Sequence, residues 1–152
     1  ARPLSRGDLR LLVLSLLADQ PRHGYELIQL ISDMFVRVYT PSAGSIYPVL
    51  AQFEAAGWVG AVEDGGRKRY ALSALGQTEL EAQREEVDAA VHRVRDSART
   101  ITKANLPPPV RDALRELKHA LGLCRGRGQD DNAAAVAEAL REAAARIRAQ
   151  GR

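Results

Sequence analysis

The apolar residues of this 152-residue chain leave helical spacing for one short stretch, and that interruption limits the fold more than any other feature. Up to Gly57 they recur every three to four residues, the period of helices packed on one face. Leu9, Leu12, Val13, Leu16 and Leu17 form the first stripe. Leu11 and Leu14 widen it, so this helix should be buried on more than one side. Asp8 is its expected N-cap, and Asp19-Gln20-Pro21 ends it. A second helix, from about His23 to Phe35, carries Leu27, Ile28, Ile31 and Phe35, with Leu30 and Met34 beside them. Gly24 near its start permits close backbone approach. A third, over roughly 45–56, carries Ile46, Val49, Leu50 and Phe53, with Ser42 and Ser45 as candidate caps. With Ser45 as cap, Pro48 takes the third helical position, where its missing N–H is no loss. Gly57 is the expected stop. From Trp58 the period shortens to that of strands. Trp58–Val62 and Arg69–Leu72 read as a hairpin turned at Glu63-Asp64-Gly65-Gly66, with Arg67, Lys68 and Arg69 just past the tip.

Beyond the hairpin the pattern is helical again. Ser73 should cap a long helix over 74–103, which would extend about 45 Å. Leu80, Val87, Val94 and Ile101 recur every seven residues, Val91 and Ala98 fall between them, and Arg84 interrupts the seam. Asn105-Leu106-Pro107-Pro108-Pro109 breaks the chain. A helix over about 110–125 follows, with Val110, Leu114, Leu117, Leu121 and Cys124 on one side. Arg125-Gly126-Arg127-Gly128 reads as a loop. Asp130 or Asp131 should cap an alanine-rich helix over 131–149, with Val136, Leu140 and Ile147 on one face. The expected division is therefore a compact head, 1–73, and a helical region, 74–152. The seam looks too long for so small a head to cover. Homodimerisation through Leu80, Val87, Val91, Val94, Ala98, Ile101, Leu114, Leu117 and Leu121 would cover it.

Composition excludes several classes. Aromatics make up 5% of the chain, so its core must be aliphatic, and a single cysteine forms no intrachain disulfide. The longest stretch without Asp, Glu, Lys or Arg, Val38 to Phe53, is 16 residues with two prolines, and the apolar run Leu11 to Ala18 is shorter still. Neither spans a bilayer, and a soluble cytoplasmic protein is expected. The net charge of 22 − 19 = +3 permits nucleic-acid binding. His23, His92 and His119 are scattered, with no HExxH or CxxC spacing, so no metal is expected. There is no phosphate-binding loop and no dinucleotide fingerprint. Cys124 lies five residues from His119, off the helical i, i+4 spacing, and continues an apolar stripe. A core role fits it better than a nucleophilic or redox one. Two Arg-Gly units are too few for an RNA-binding tract. No enzyme and no cofactor is expected.

Three short helices and a basic-tipped hairpin are the order of a winged helix-turn-helix, in which the third helix enters the major groove and the hairpin touches neighbouring backbone. Small residues at Ser42, Ala43, Gly44 and Ser45 would let that helix start approach phosphate closely. The plain alternative is a capped core helix beside a solvated turn.

Four segments resemble a known family. Pro21-Arg22-His23-Gly24-Tyr25-Glu26-Leu27 is similar to the PadR-type signature whose HGYEL core opens the second helix. Ser42-Ala43-Gly44-Ser45-Ile46-Tyr47-Pro48-Val49-Leu50 resembles its S-x-G-[ST]-hydrophobic-Y-P-x-L stretch. Phe53-Glu54-Ala55-Ala56-Gly57-Trp58-Val59 resembles L-E-x-x-G-hydrophobic-V. Gly66 to Gly76 resembles the wing and the start of the fourth helix. The resemblance covers about residues 8 to 80. It implies a mainly α protein, an N-terminal winged helix-turn-helix followed by a C-terminal helical dimerisation region. It further implies a homodimeric transcriptional regulator, usually a repressor, on a palindromic double-stranded operator, often released by a small effector such as a phenolic acid or a drug. Tyr25, Ser42, Gly44, Ser45 and Tyr47 match positions that face DNA in the family, and Arg67, Lys68 and Arg69 match the wing. The tyrosine usually doubled after the wing is Tyr70-Ala71 here.

Other residues admit two roles. His23 could donate to phosphate, or cap and pack. Arg2, Arg6 and Arg10 could lie along DNA, or form a loose end. Trp58 suits a core anchor better than a ligand platform. No aromatic lies in 74–103, so an effector site there would be aliphatic. A rival function is a winged helix that docks on protein without binding DNA.

Overall fold

The computed structural model describes residues 3–123 and 132–151. It is mostly helical, at 72%, with seven helices and one small antiparallel sheet among the described residues. The order is α1 (Arg6–Asp19), β1 (Arg22–His23), α2 (Gly24–Met34), α3 (Ala43–Ala55), β2 (Val59–Asp64), β3 (Arg67–Leu72), α4 (Ala74–Ala82), α5 (Arg84–Ala104), α6 (Pro108–Leu123) and α7 (Ala133–Gln150). This is the winged helix-turn-helix order, followed by further helices. Cys124, the Arg125–Gly128 loop and the caps expected at Asp130 or Asp131 lie outside the described residues; α7 starts after Asn132.

The chain forms two compact units, Ala1–Leu106 and Pro107–Arg152. The division by contacts lies at 106/107, and the reason is α1. Leu9, Leu11, Leu12, Val13, Leu14 and Leu17 are all buried, as the widened stripe predicts. One side of α1 meets α3, α4 and β3, and another side lies along α5. Leu80, Val87 and Val94, each 1% exposed, and Ala98 are buried in this same core, with Val91 and Ile101 packed against it. The expectation that the seam needs a second chain is therefore corrected: α1 covers it. Three fully buried aliphatics at about 2 kcal/mol each outweigh the Arg93–Asp8 bridge, 2.8 Å long and partly exposed, which is worth at most about 1 kcal/mol.

Other expectations shift locally. Ser5, not Asp8, caps α1, its hydroxyl accepting from the Asp8 N–H at 3.0 Å. The long helix is two helices, broken at Gln83 (φ −107°, ψ 17°), because α4 packs on α1 and β3 while α5 follows α1. Ser42 holds the N-cap position of α3 without a side-chain bond, which places Pro48 inside the helix and leaves the Gly44 carbonyl without its usual donor. The turn of the hairpin narrows to Gly65-Gly66, so Arg67 to Arg69 stand in β3 itself. Helix α6 begins at Pro108, within the triple proline, since a proline ring suits a first turn.

Two backbone features set the positions of the recognition elements. Between α2 and α3, Val36 (φ 49°) and Arg37 (φ 61°) both adopt the left-handed region. Phe35 anchors this turn in the core, edge-on to Tyr39, and Ser32 pairs with Thr40 through their hydroxyls at 2.7 Å. At the end of α3, Gly57 (φ 75°) lets Gly57 N–H reach the Glu54 carbonyl and Trp58 N–H the Phe53 carbonyl, a Schellman stop.

Both features can be tested by stability. Val36 is 64% exposed and branched, so Val36→Asn should raise unfolding free energy by about 1 kcal/mol, the penalty of a left-handed residue, in urea titration. A Cβ on Gly76 would lie 2.0 Å from the Trp58 carbonyl oxygen. Gly76→Ala should cost about 3 kcal/mol in the same assay.

Candidate nucleic-acid interface

The start of α3 is open. Ser42, Ala43, Gly44 and Tyr47 are exposed, and Ser45 is half-buried. The Ser42 and Ser45 hydroxyls pair at 3.0 Å, and the Ser42 side chain makes no cap bond; the Ser45 N–H donates to the Ser42 carbonyl, which leaves the Ala43 and Gly44 N–H groups as the anion-binding candidates. The apolar residues Ile46, Leu50 and Phe53 are turned inward and are fully buried, which orients the helix.

Tyr47 lies across the start of α2. A Cβ on Gly24 would come within 2.7–2.9 Å of two ring carbons and the hydroxyl oxygen of Tyr47. The missing side chain at Gly24 is thus the seat of Tyr47. Tyr25 stands beside it, and these two rings are 42% and 45% exposed in a chain with few aromatics. Tyr47, Tyr25, Arg67 and Lys68 line one open groove between α2, α3 and the wing. Tyr70, buried beneath it on β3, has its phenol pushed above the ordinary value by burial, an effect that nearby Lys68 opposes.

The three wing cations differ. Lys68 reaches Glu54 at 3.8 Å, and Arg69 pairs with Asp64 at 2.8 Å. Arg67 makes no ion pair among the described residues; its guanidinium lies 4.7 Å from the Tyr25 ring centre. Tyr25 in turn stacks on His23, with centroids 5.7 Å apart. His23 is buried and caps α2. Its Nδ1 lies 3.0 Å from the Lys68 carbonyl and its Nε2 3.2 Å from Asp64. The short strand β1, which pairs Arg22 with Tyr70 and His23 with Arg69, carried no strand signal in two residues and was not expected.

On the other side of α3, Arg6 and Arg10 from α1 border a groove with Ser42, Gly44 and Ser45. Arg10 also lies over Trp58, 5.0 Å from the ring centre. Trp58 packs on Phe53 against the core. Leu114 and Leu121 are half-buried on α6, and Leu117 is 40% exposed. No group of three or more His, Cys, Asp or Glu among the described residues could hold a metal, and none of their helices is long and apolar enough to cross a membrane.

Residues 13–82 match the model of the transcriptional regulator PadR-like family. This segment is similar to that family's domain. The PadR-like domain therefore spans most of α1 through α4. The chain is also 36% identical over 124 residues to transcriptional regulator YqjI of Escherichia coli K12 and to uncharacterized protein YqjI of Shigella flexneri. Those matches take in 80% of this chain and 59% of each relative, so the chain spans well under two thirds of their length. Among solved structures, a transcriptional regulator from Clostridium thermocellum aligns at 22% identity over 60% of this chain and 90% of its own, with a TM-score of 0.49. A PadR-like transcription factor from Bacteroides fragilis aligns at 26% identity over 59% and 91%, with a TM-score of 0.43.

The seat of Tyr47 generates a double-mutant test. Gly24→Ala should push aside the tip of the half-exposed Tyr47 ring and cost at most about 1 kcal/mol. In a Tyr47→Ala background the same change should be neutral or stabilising, because alanine is the better helix residue. Equal effects in the two backgrounds would show that the ring and the glycine are not coupled.

Proposed function

We propose that this chain is a sequence-specific DNA-binding transcriptional regulator, a repressor that acts as a homodimer on a palindromic operator. The observation that carries this reading is the exposed start of α3 and the two grooves it borders. Tyr47 lines one with Tyr25, Arg67 and Lys68, and Ser42, Gly44 and Ser45 line the other with Arg6 and Arg10. In this reading α3 enters the major groove with its start toward base edges and phosphate, and the wing cations hold flanking backbone. The PadR-like domain and a relative named as a transcriptional regulator support it. Arg67 supplies the main phosphate contact because it is the wing cation without an acidic partner among the described residues. Lys68 and Arg69 add to it, since exposed ion pairs are weak enough to exchange for phosphate.

The dimer would form through the second unit. Helices α6 and α7 bury no residue completely, and Val110, Leu117, Leu123, Leu140 and Ile147 are exposed. Leu114, Leu117 and Leu121 lie on the α6 stripe, and they replace the buried members of the long seam as dimer contacts. A small effector that lowers DNA affinity completes the reading, and the family resemblance supports it. No catalysis is assigned.

Fluorescence anisotropy on DNA from upstream of the chain's own gene, with excess random competitor, tests this. Saturable, competitor-resistant binding is expected. Arg67→Ala should weaken it about tenfold and flatten the log–log salt slope by about one. Replacing Arg67, Lys68 and Arg69 together should remove specific binding. Undiminished binding by the triple variant would refute the wing's role. Leu117→Glu should convert the dimer to monomers in sedimentation.

A further inference from the structure

His23 sits 7% exposed between two oxygens, the Lys68 carbonyl at Nδ1 and the Asp64 carboxylate at Nε2. A carbonyl only accepts hydrogen bonds, and so does a carboxylate ion-paired to Arg69. A neutral imidazole has one N–H. It satisfies one of these oxygens and turns a lone pair toward the other. The doubly protonated ring donates to both. Only that form makes both hydrogen bonds at once.

The contact also bridges three elements. His23 precedes the first residue of α2, Asp64 ends β2 and Lys68 is near the start of β3. Apart from it, β1 and β3 share only two residue pairs. The charged and titratable groups around the ring come from each packed element. Asp64 faces it from β2, and Arg69 on β3 shares that carboxylate. Glu26 on α2 accepts from the His23 backbone N–H at 2.7 Å. Tyr25 stacks on the ring and carries Arg67. The phenols of Tyr47 on α3 and Tyr70 on β3 line the same groove, while the Lys68 ammonium turns to Glu54.

We propose that His23 is a proton-operated latch for the wing. The imidazolium ties Asp64 and the Lys68 carbonyl to the root of α2. Loss of its proton releases one of them, and the tip that carries Arg67 loosens. Acidification that protonates the ring therefore tightens the wing. The further consequence, tighter DNA binding at pH 6 than at pH 8, rests on the function proposed above.

Amide hydrogen exchange on the full chain reads the latch without DNA. Protection factors for residues 62–70 should be about tenfold higher at pH 6 than at pH 8, the scale of one charge-assisted hydrogen bond. His23→Asn keeps a favourable N-cap and should show one value at both pH values. Asp64→Asn should also lose the fall at pH 8, because an amide N–H can donate to an unprotonated Nε2. His92 and His119 remain in both variants, so an effect that persists in His23→Asn belongs to them and overturns the latch. Wild-type protection that does not change with pH overturns it as well. Anisotropy run in parallel separates the two claims. A pH-dependent wing with no DNA binding at either pH refutes the regulator and leaves the latch standing. A pH-dependent wing with equal DNA affinity at both pH values refutes the link between latch and binding.

Discussion

The wing and the recognition helix are positioned by one closure at the base of the hairpin. The Trp58 carbonyl accepts the Ser73 N–H at 2.8 Å, and the Ser73 hydroxyl donates to the Gly57 carbonyl at 2.6 Å while accepting from the Gly76 N–H at 3.0 Å. Four elements meet there: the end of α3, the start of β2, the end of β3 and the start of α4. Because the strands leave and return at one point, Val59 must face Leu72, and the register runs without a bulge to Asp64 opposite Arg67. Two successive glycines with positive φ then turn the chain at the tip. The wing's direction relative to α3 is thus set by backbone groups at residues 57–76. Its side chains are left free to serve the surface.

That surface is assembled from weak, exchangeable contacts over a rigid floor. Beneath it lie Ile46, Leu50, Phe53, Leu27 and Ile31, all essentially without solvent exposure. Above it, the ion pairs of Lys68 with Glu54 and Arg69 with Asp64 are half exposed. Exposed pairs contribute at most about 1 kcal/mol. They hold the cations near one another without committing them. The aromatic stack of Arg67 on Tyr25 on His23 orders the third cation through dispersion and ring electrostatics, so its charge stays available.

Much of the head was legible because it is built from local signals. The change of period marked the helices and the hairpin, and Gly57 marked the end of α3. Gly24 announced a close approach, although nothing in the sequence named Tyr47 as the neighbour. What escaped was tertiary. A two-residue strand such as β1 has no period, and it exists only because β3 lies alongside. The break at Gln83 has neither proline nor glycine to announce it; α4 packs on β3 as well as α1, while α5 runs along α1. The seam through Val87 and Val94 carried the right spacing and was given the wrong partner. A heptad stripe specifies that a helix will be covered, not whether the cover comes from the same chain. The unusual breadth of apolar residues on α1 was the counterpart signal, since a helix buried all round must have something on each side.

The contact between Gly24 and Tyr47 binds two motifs that are 23 positions apart in the chain (47 − 24) into one unit of inheritance. A larger side chain at 24 evicts the ring, and a smaller one at 47 leaves an open notch at the root of α2. Retargeting such a head to new DNA by altering α3 would therefore have more freedom at Ser42, Ala43, Gly44 and Ser45 than at Tyr47. Variation in what the helix reads should accumulate at its first turn, while the tyrosine and its glycine travel together.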